Sequence, residues 1–271
     1  MNDFFETNSD KLKEYINMSN AAGSRSDYVQ GGGGNTSVKL DDNLMAIKAS
    51  GFCLDQISVD DAYAVLNYAA IREFYYNTDP GTLDDIEKAG SAKAKESIQN
   101  IPGLPKLRPS VEAGFHSLLD TFVLHTHPVY ANLAACSAEG AEVVQEALAD
   151  MGHSHAYVPY INPGAQLTFS IMNITNEVEK NTGKKPAIIF MENHGLIVTC
   201  PTGAECLKLS DEVNKRIARA YGVTFDDWPE IMLETGPGEG TWISVTAWLK
   251  NQLLTRDWNL DFFTKQSLYP D

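Results

Sequence analysis

The triplet His125-Thr126-His127 closes a short apolar run, Thr121 to Leu124. In a strand, residues i and i+2 point to one face, so two imidazoles would converge as a divalent cation requires. Taken alone, the triplet equally fits two unrelated histidines beside a strand end. A second triplet, His153-Ser154-His155, follows Met151-Gly152 in a loop-like stretch. Side-chain direction is less fixed there, so it ranks below the first. His194 lies in Glu192-Asn193-His194-Gly195, between two apolar runs. Burying such groups is costly without partners. A hydrogen-bonded core histidine before a turn glycine is the plain reading. As a third ligand it would give three neutral imidazoles and one open coordination position, the pattern of a catalytic metal site.

Glu112 precedes His125 by thirteen residues, within Arg108-Pro109-Ser110-Val111-Glu112. A carboxylate in the first turn of a helix can simply complement the dipole. Beside a metal it can instead act as a base, because the cation stabilises the carbanion that proton removal leaves. Ser110, at the same helix start, offers a hydroxyl and free amides to an anion. His116 is four residues after Glu112 and can share its side of a helix. It reads as structural, since nothing in the sequence places it at the metal. The run Gly31-Gly32-Gly33-Gly34 does not fit a dinucleotide fingerprint, because Thr36 stands where the third glycine belongs, and no Gly-Lys-Ser/Thr follows it. It reads as a loop whose amides can wrap an anion, with Asn35 and Ser37 as following polar side chains, or as a plain glycine turn.

Several elements must position these residues. A helix is expected over about Ser9 to Asn20, with Leu12, Tyr15 and Ile16 inward. Val38 to Leu40 and Leu44 to Ile47 read as a β-hairpin. Ser58 can cap a helix over roughly Asp61 to Tyr75. Residues 77–106 read as a surface excursion with a short polar helix. A helix is expected from Pro109-Ser110 to about Leu119, and others over Ala141 to Met151 and Ala204 to Tyr221. Strands are expected at Thr121 to Leu124, Ala187 to Phe190 and Leu196 to Thr199. The order implies a mixed α/β domain rather than a regular βαβ array.

The 271 residues suffice for a substantial core. The net charge of −15 argues against nucleic acid and anionic lipid as partners. No apolar run approaches a membrane span, and the N-terminus lacks a signal peptide's basic start. Four scattered cysteines make no disulfide framework. The expectation is an acidic cytoplasmic protein.

Five motifs, Gly34-Asn35-Thr36-Ser37, Ala49-Ser50-Gly51, Pro109-Ser110-Val111-Glu112, His125-Thr126-His127-Pro128 and Asn193-His194-Gly195, stand in one order over residues 10–222. Together they resemble the class II aldolase/adducin family of zinc-dependent sugar-phosphate aldolases. The resemblance implies a three-layer α/β/α fold around a mostly antiparallel sheet, assembled as a homotetramer. It implies Zn²⁺ on His125, His127 and His194, with Glu112 as acid/base that also approaches the metal. Mn²⁺ or Co²⁺ would suit three imidazoles too. It further implies that Asn35, Ser50, Gly51 and Ser110 hold a substrate phosphate, and that Tyr160 donates a proton in a neighbouring subunit's site. Tyr160 can also be read as a packed aromatic.

Val111 departs from the pattern, standing where the small aldolases carry a second phosphate-binding serine. The 77–106 insert is longer than theirs. Residues 1–222 would form the aldolase-like domain. Residues 223–271, with Trp228, Trp242, Trp248 and Trp258, would pack on it as a C-terminal extension. In this the chain resembles the aldolase portion of longer sugar-metabolising members, as a truncation or a natural short form. The expected function is reversible aldol cleavage of a ketose phosphate, or a related hydroxylated carbonyl compound, through a metal-stabilised enediolate. A sugar-phosphate epimerase or dehydratase of the same superfamily is the nearest alternative. A non-catalytic adducin-like scaffold is disfavoured because all three histidines are present.

Overall fold

The computed structural model describes residues 3–223 and 232–255. Seven strands form the central sheet: β1 (Asn35–Lys39), β2 (Leu44–Lys48), β3 (Tyr63–Asn67), β4 (Phe122–Thr126), β5 (His155–Val158), β6 (Ile188–Met191) and β7 (Gly195–Cys200). Their spatial order is β3-β2-β1-β4-β7-β6-β5. Every pairing is antiparallel except β5 with β6. The expected three-layer arrangement is present, because both faces of this sheet are apolar and both need cover.

On one face Val38, Phe122, Leu124, Phe190, Leu196 and Val198 pack under α2 (Ser9–Gly23), α6 (Val129–Ala135), α7 (Gly140–Ala147) and α9 (Gly203–Ala220). A short α1 (Asp3–Thr7) precedes them. On the other face Met45, Ile47, Leu66, Val123, Ile189 and Ile197 meet α3 (Tyr68–Asn77), α4 (Ile86–Glu96), α5 (Ala113–Leu118) and α8 (Ala165–Thr182). Each fully buried Phe or Ile contributes roughly 1.5–3 kcal/mol to this packing. The strict alternation has a consequence for function. Val38, Phe122 and Leu124 face the first layer, so Asn35, Ser37 and His125 face the second, toward α5.

Two expectations need correction. Residues 61–75 are not one helix: β3 pairs with β2 from Lys48↔Tyr63 to Leu44↔Asn67, and only then does α3 begin. Tyr63 to Leu66 is apolar at every position, which suits a strand covered on both faces. Asn67 ends it and caps α3, its side chain accepting from the Ala70 amide. The helix expected from Pro109-Ser110 starts later, at Ala113, and leaves Glu112 just outside its first turn.

The 77–106 excursion does contain a polar helix, α4, but it also ties into the core. Glu87 accepts hydrogen bonds from the Ala165 and Gln166 amides, at 2.8 and 2.9 Å, and so caps α8. Beyond α9, β8 (Leu233–Thr235) pairs with β9 (Trp242–Ser244), and α10 (Ala247–Thr255) follows. Trp242 and Trp248 are 66% and 51% exposed, so these two do not supply the packing expected of the tail. Trp228 and Trp258 lie outside the described residues.

Candidate active site

His125 and His127 leave the end of β4 on one face, as the alternation of a strand requires. His194 arrives from the other side of β7. β6 and β7 are joined by a tight loop in which Met191 pairs with Gly195 and the His194 amide donates to the Met191 carbonyl. Asn193 takes φ +52° there, a left-handed conformation that asparagine tolerates better than most residues. The loop turns His194 back over the end of β4.

The three imidazole rings form a near-equilateral triangle. Their centroids lie 4.9, 4.9 and 5.0 Å apart. One nitrogen from each falls within 4.8 Å of the others. His125 Nδ1 lies 3.1 Å from the Leu196 carbonyl, an acceptor, so Nδ1 carries the hydrogen and Nε2 presents its lone pair. That Nε2 faces His127 Nε2 at 3.1 Å. Tetrahedral zinc with Zn–N bonds of 2.0–2.1 Å sets its ligands roughly 3.3 Å apart, so these residues fit a bound cation. Burial, and then the His127 charge, hold the His125 imidazolium form well out of reach at neutral pH. A neutral ring is the one that ligates.

Two glycines permit this closeness. Gly34 has φ +70°, and a Cβ there would stand 2.7 Å from the His125 carbonyl oxygen. A Cβ on Gly195 would stand 2.5 Å from the Thr126 carbonyl oxygen and 2.9 Å from the His127 ring.

Glu112 reaches the same point from below. Its Oε1 is 3.4 Å from His194 Nε2 and its Oε2 is 3.6 Å from His125 Nε2. Asn35, cross-strand partner of His125, donates to Glu112 Oε2 and, at 3.2 Å, to Ser110 Oγ. Ser110 Oγ also accepts from the Glu112 amide. The isolated antiparallel bridge between Ala49 and Pro109 ties the two segments together, with the Ser50 amide donating to the Arg108 carbonyl and the Ser110 amide to the Lys48 carbonyl. Ser50 Oγ accepts from Arg108 at 2.8 Å. Buried Lys48 donates to the Gly32 and Phe52 carbonyls, fastening the glycine loop to the Ser50-Gly51 turn, and burial lowers its pKa.

Other expected residues lie elsewhere. Ser37 is buried and hydrogen-bonded to His116 Nδ1 at 2.7 Å rather than open to a ligand. Tyr160 is 43% exposed; its amide donates to Glu192 and its hydroxyl to Asn162. His155 donates to Gln145 at 3.2 Å, and His153 is exposed. His116, which the sequence left as structural, is bonded through Asn35 to Glu112. Its spacing from Glu112 was the one available signal. The Leu196 carbonyl had none.

Known proteins resemble this chain in sequence and in fold. It is 26% identical over 211 residues to a Bacillus subtilis protein named uncharacterized oxidoreductase YuxG, covering 72% of this chain and 27% of that one. The chain thus spans about a quarter of the length of that relative. The N-terminal class II aldolase domain of a conserved Thermoplasma acidophilum protein superposes with a TM-score of 0.60 at 25% identity, over 78% of this chain and 92% of that one. A sugar-phosphate aldolase from Thermotoga maritima superposes with a TM-score of 0.55 at 14% identity, over 79% and 94%, and shows the shared fold. The family model described as Class II Aldolase and Adducin N-terminal domain matches residues 14–221. The chain belongs to that family.

Proposed function

We propose that this protein is a divalent-metal-dependent lyase that cleaves a hydroxylated carbonyl compound, a ketose phosphate by preference, at a carbon–carbon bond. One observation carries the reading: three imidazoles converge on one point, with the Glu112 oxygens 3.4 Å from His194 Nε2 and 3.6 Å from His125 Nε2. His125, His127 and His194 would hold the cation, Zn²⁺ by analogy with the family, with Glu112 close by. When bound, it supplies Lewis acidity to negative charge developing on the substrate's oxygens.

The chain's own groups do the remaining work. Glu112 moves the proton at the nucleophilic carbon. Ser50, Gly51 and Ser110, adjoining the glycine loop, hold the anionic end of the substrate, with Arg108 and Lys48 as the local cations. Local positive charge matters here, because a net charge of −15 opposes the approach of an anion. Tyr160, exposed on its own protomer, protonates the aldehyde oxygen in a neighbouring subunit of a homotetramer. The oxidoreductase in YuxG's name belongs to that longer protein; Thr36 here breaks the glycine pattern a dinucleotide needs.

A panel of phosphorylated and unphosphorylated ketoses, assayed for aldehyde release, tests the reading. Cleavage that disappears on chelation and returns with Zn²⁺ supports it. Full activity in metal-free protein refutes it. Epimer or dehydration products without cleavage would move the protein to another reaction of the same superfamily.

A further inference from the structure

We propose that Ser37, His116 and Asn35 form a hydrogen-bond chain of fixed direction that positions Glu112. The proposal rests on the reading of Glu112 as the proton-moving group. Asn35 and Ser37 share one face of β1, and His116 lies on α5, one turn after Glu112. His116 is fully buried, its ring stacked on Phe115 at 4.8 Å.

The direction follows from donor and acceptor chemistry. A carboxylate only accepts, so the Asn35 amide nitrogen faces Glu112 Oε2. Asn35 Oδ1 is thereby turned to His116 Nε2, which must carry the ring hydrogen. His116 Nδ1 is then an acceptor, and the Ser37 hydroxyl, 2.7 Å away, must donate to it. Any reversed link sets two acceptors against each other. The chain therefore fixes the His116 tautomer and the Asn35 amide together.

Both hydrogens of the Asn35 amide are used, one on Glu112 and one on Ser110. Glu112 is made asymmetric by the same arrangement. Oε2 is anchored, while buried Oε1 accepts no hydrogen bond and stands 3.4 Å from His194 Nε2. Oε1 is the oxygen left for proton transfer. Asn35, His116 and Ser37 are positioning residues.

Two measurements test this. The first needs no turnover: ¹⁵N NMR of histidine-labelled, metal-free protein, with His116 assigned by its loss in His116→Gln. The hydrogen on Nε2 is expected, with Asn35→Ala shifting the balance toward Nδ1, where the Ser37 hydroxyl can accept it. An Nδ1–H ring in the unsubstituted protein overturns the proposal. The second compares kcat, KM and inhibition by inorganic phosphate. His116→Leu and Asn35→Ala should lower kcat roughly 10- to 100-fold with full metal content, and in His116→Leu both KM and phosphate inhibition should stay near wild type. His116→Gln, which keeps a donor, should recover part of the loss. Within Glu112→Gln none of them should lower kcat further. A His116→Leu or Asn35→Ala variant that keeps kcat overturns the proposal. Full turnover in Glu112→Gln overturns instead the reading beneath it.

Discussion

The chain carries two His-x-His triplets, and their fates differ. His125 and His127 leave the end of a central strand, meet His194 across β7 and stand over Glu112. His153 is exposed in a turn, and His155 starts β5 at the sheet edge, where it donates to Gln145. The spacing is identical. What separates them is support from other segments: the Leu196 carbonyl sets the His125 tautomer, Gly34 and Gly195 let backbones close in, and the Asn193 turn delivers a third ring. A ligand motif becomes a site when nonlocal structure fixes both its direction and its protonation.

The two triplets should differ most when their histidines are removed. His125→Ala or His194→Ala should reduce cleavage to background, whereas His153→Ala with His155→Ala should leave it unchanged; parallel rate assays decide. Glu112→Gln separates ligation from chemistry. It should retain the metal, by elemental analysis, while kcat falls roughly 10²- to 10⁴-fold. Metal removal should lower stability by about 3 kcal/mol when the free metal had stood near a hundredfold above its dissociation constant. That difference, read by thermal unfolding with and without chelator, should vanish in His125→Ala and persist in His155→Ala.

Glycines beside the two triplets give a finer contrast. Gly195→Ala must push a Cβ to 2.5 Å from the Thr126 carbonyl oxygen, and should cost about 1–3 kcal/mol in urea unfolding and weaken metal binding as well. Gly152, at φ +70°, has nothing within 4 Å of its virtual Cβ, so Gly152→Ala carries only backbone strain, about 1–2 kcal/mol, with metal binding intact. The smallest effect belongs to His153→Ala, an exposed position, expected within about 0.5 kcal/mol of wild type.

The convergence of the three histidines was legible because its signals are local: an apolar strand ending in His-Thr-His, and a polar turn between two apolar runs. The sheet face of Asn35 followed from the hairpin register once β4 was placed beside it. Other features are invisible to a local reading. α8 has no capping side chain of its own at Gly164, because Glu87 of α4 caps it from far along the chain. β3 hides inside a run that also supports helical periodicity, and only its register against β2 decides. His116 gained its position beside Glu112 through Asn35 and Ser37, which come from β1, more than seventy residues earlier. Turn chemistry and strand alternation are written in neighbouring residues; hydrogen-bond partners drawn from distant segments are not.

His125, His127 and His194 are expected to hold one divalent cation in working position. Calorimetric titration of metal-free protein with Zn²⁺ measures it directly, in the wild type and in His194→Ala. One ion per chain is expected in the wild type, and a large loss of affinity in the variant. Binding of equal strength in both proteins, or none in the wild type, would contradict it.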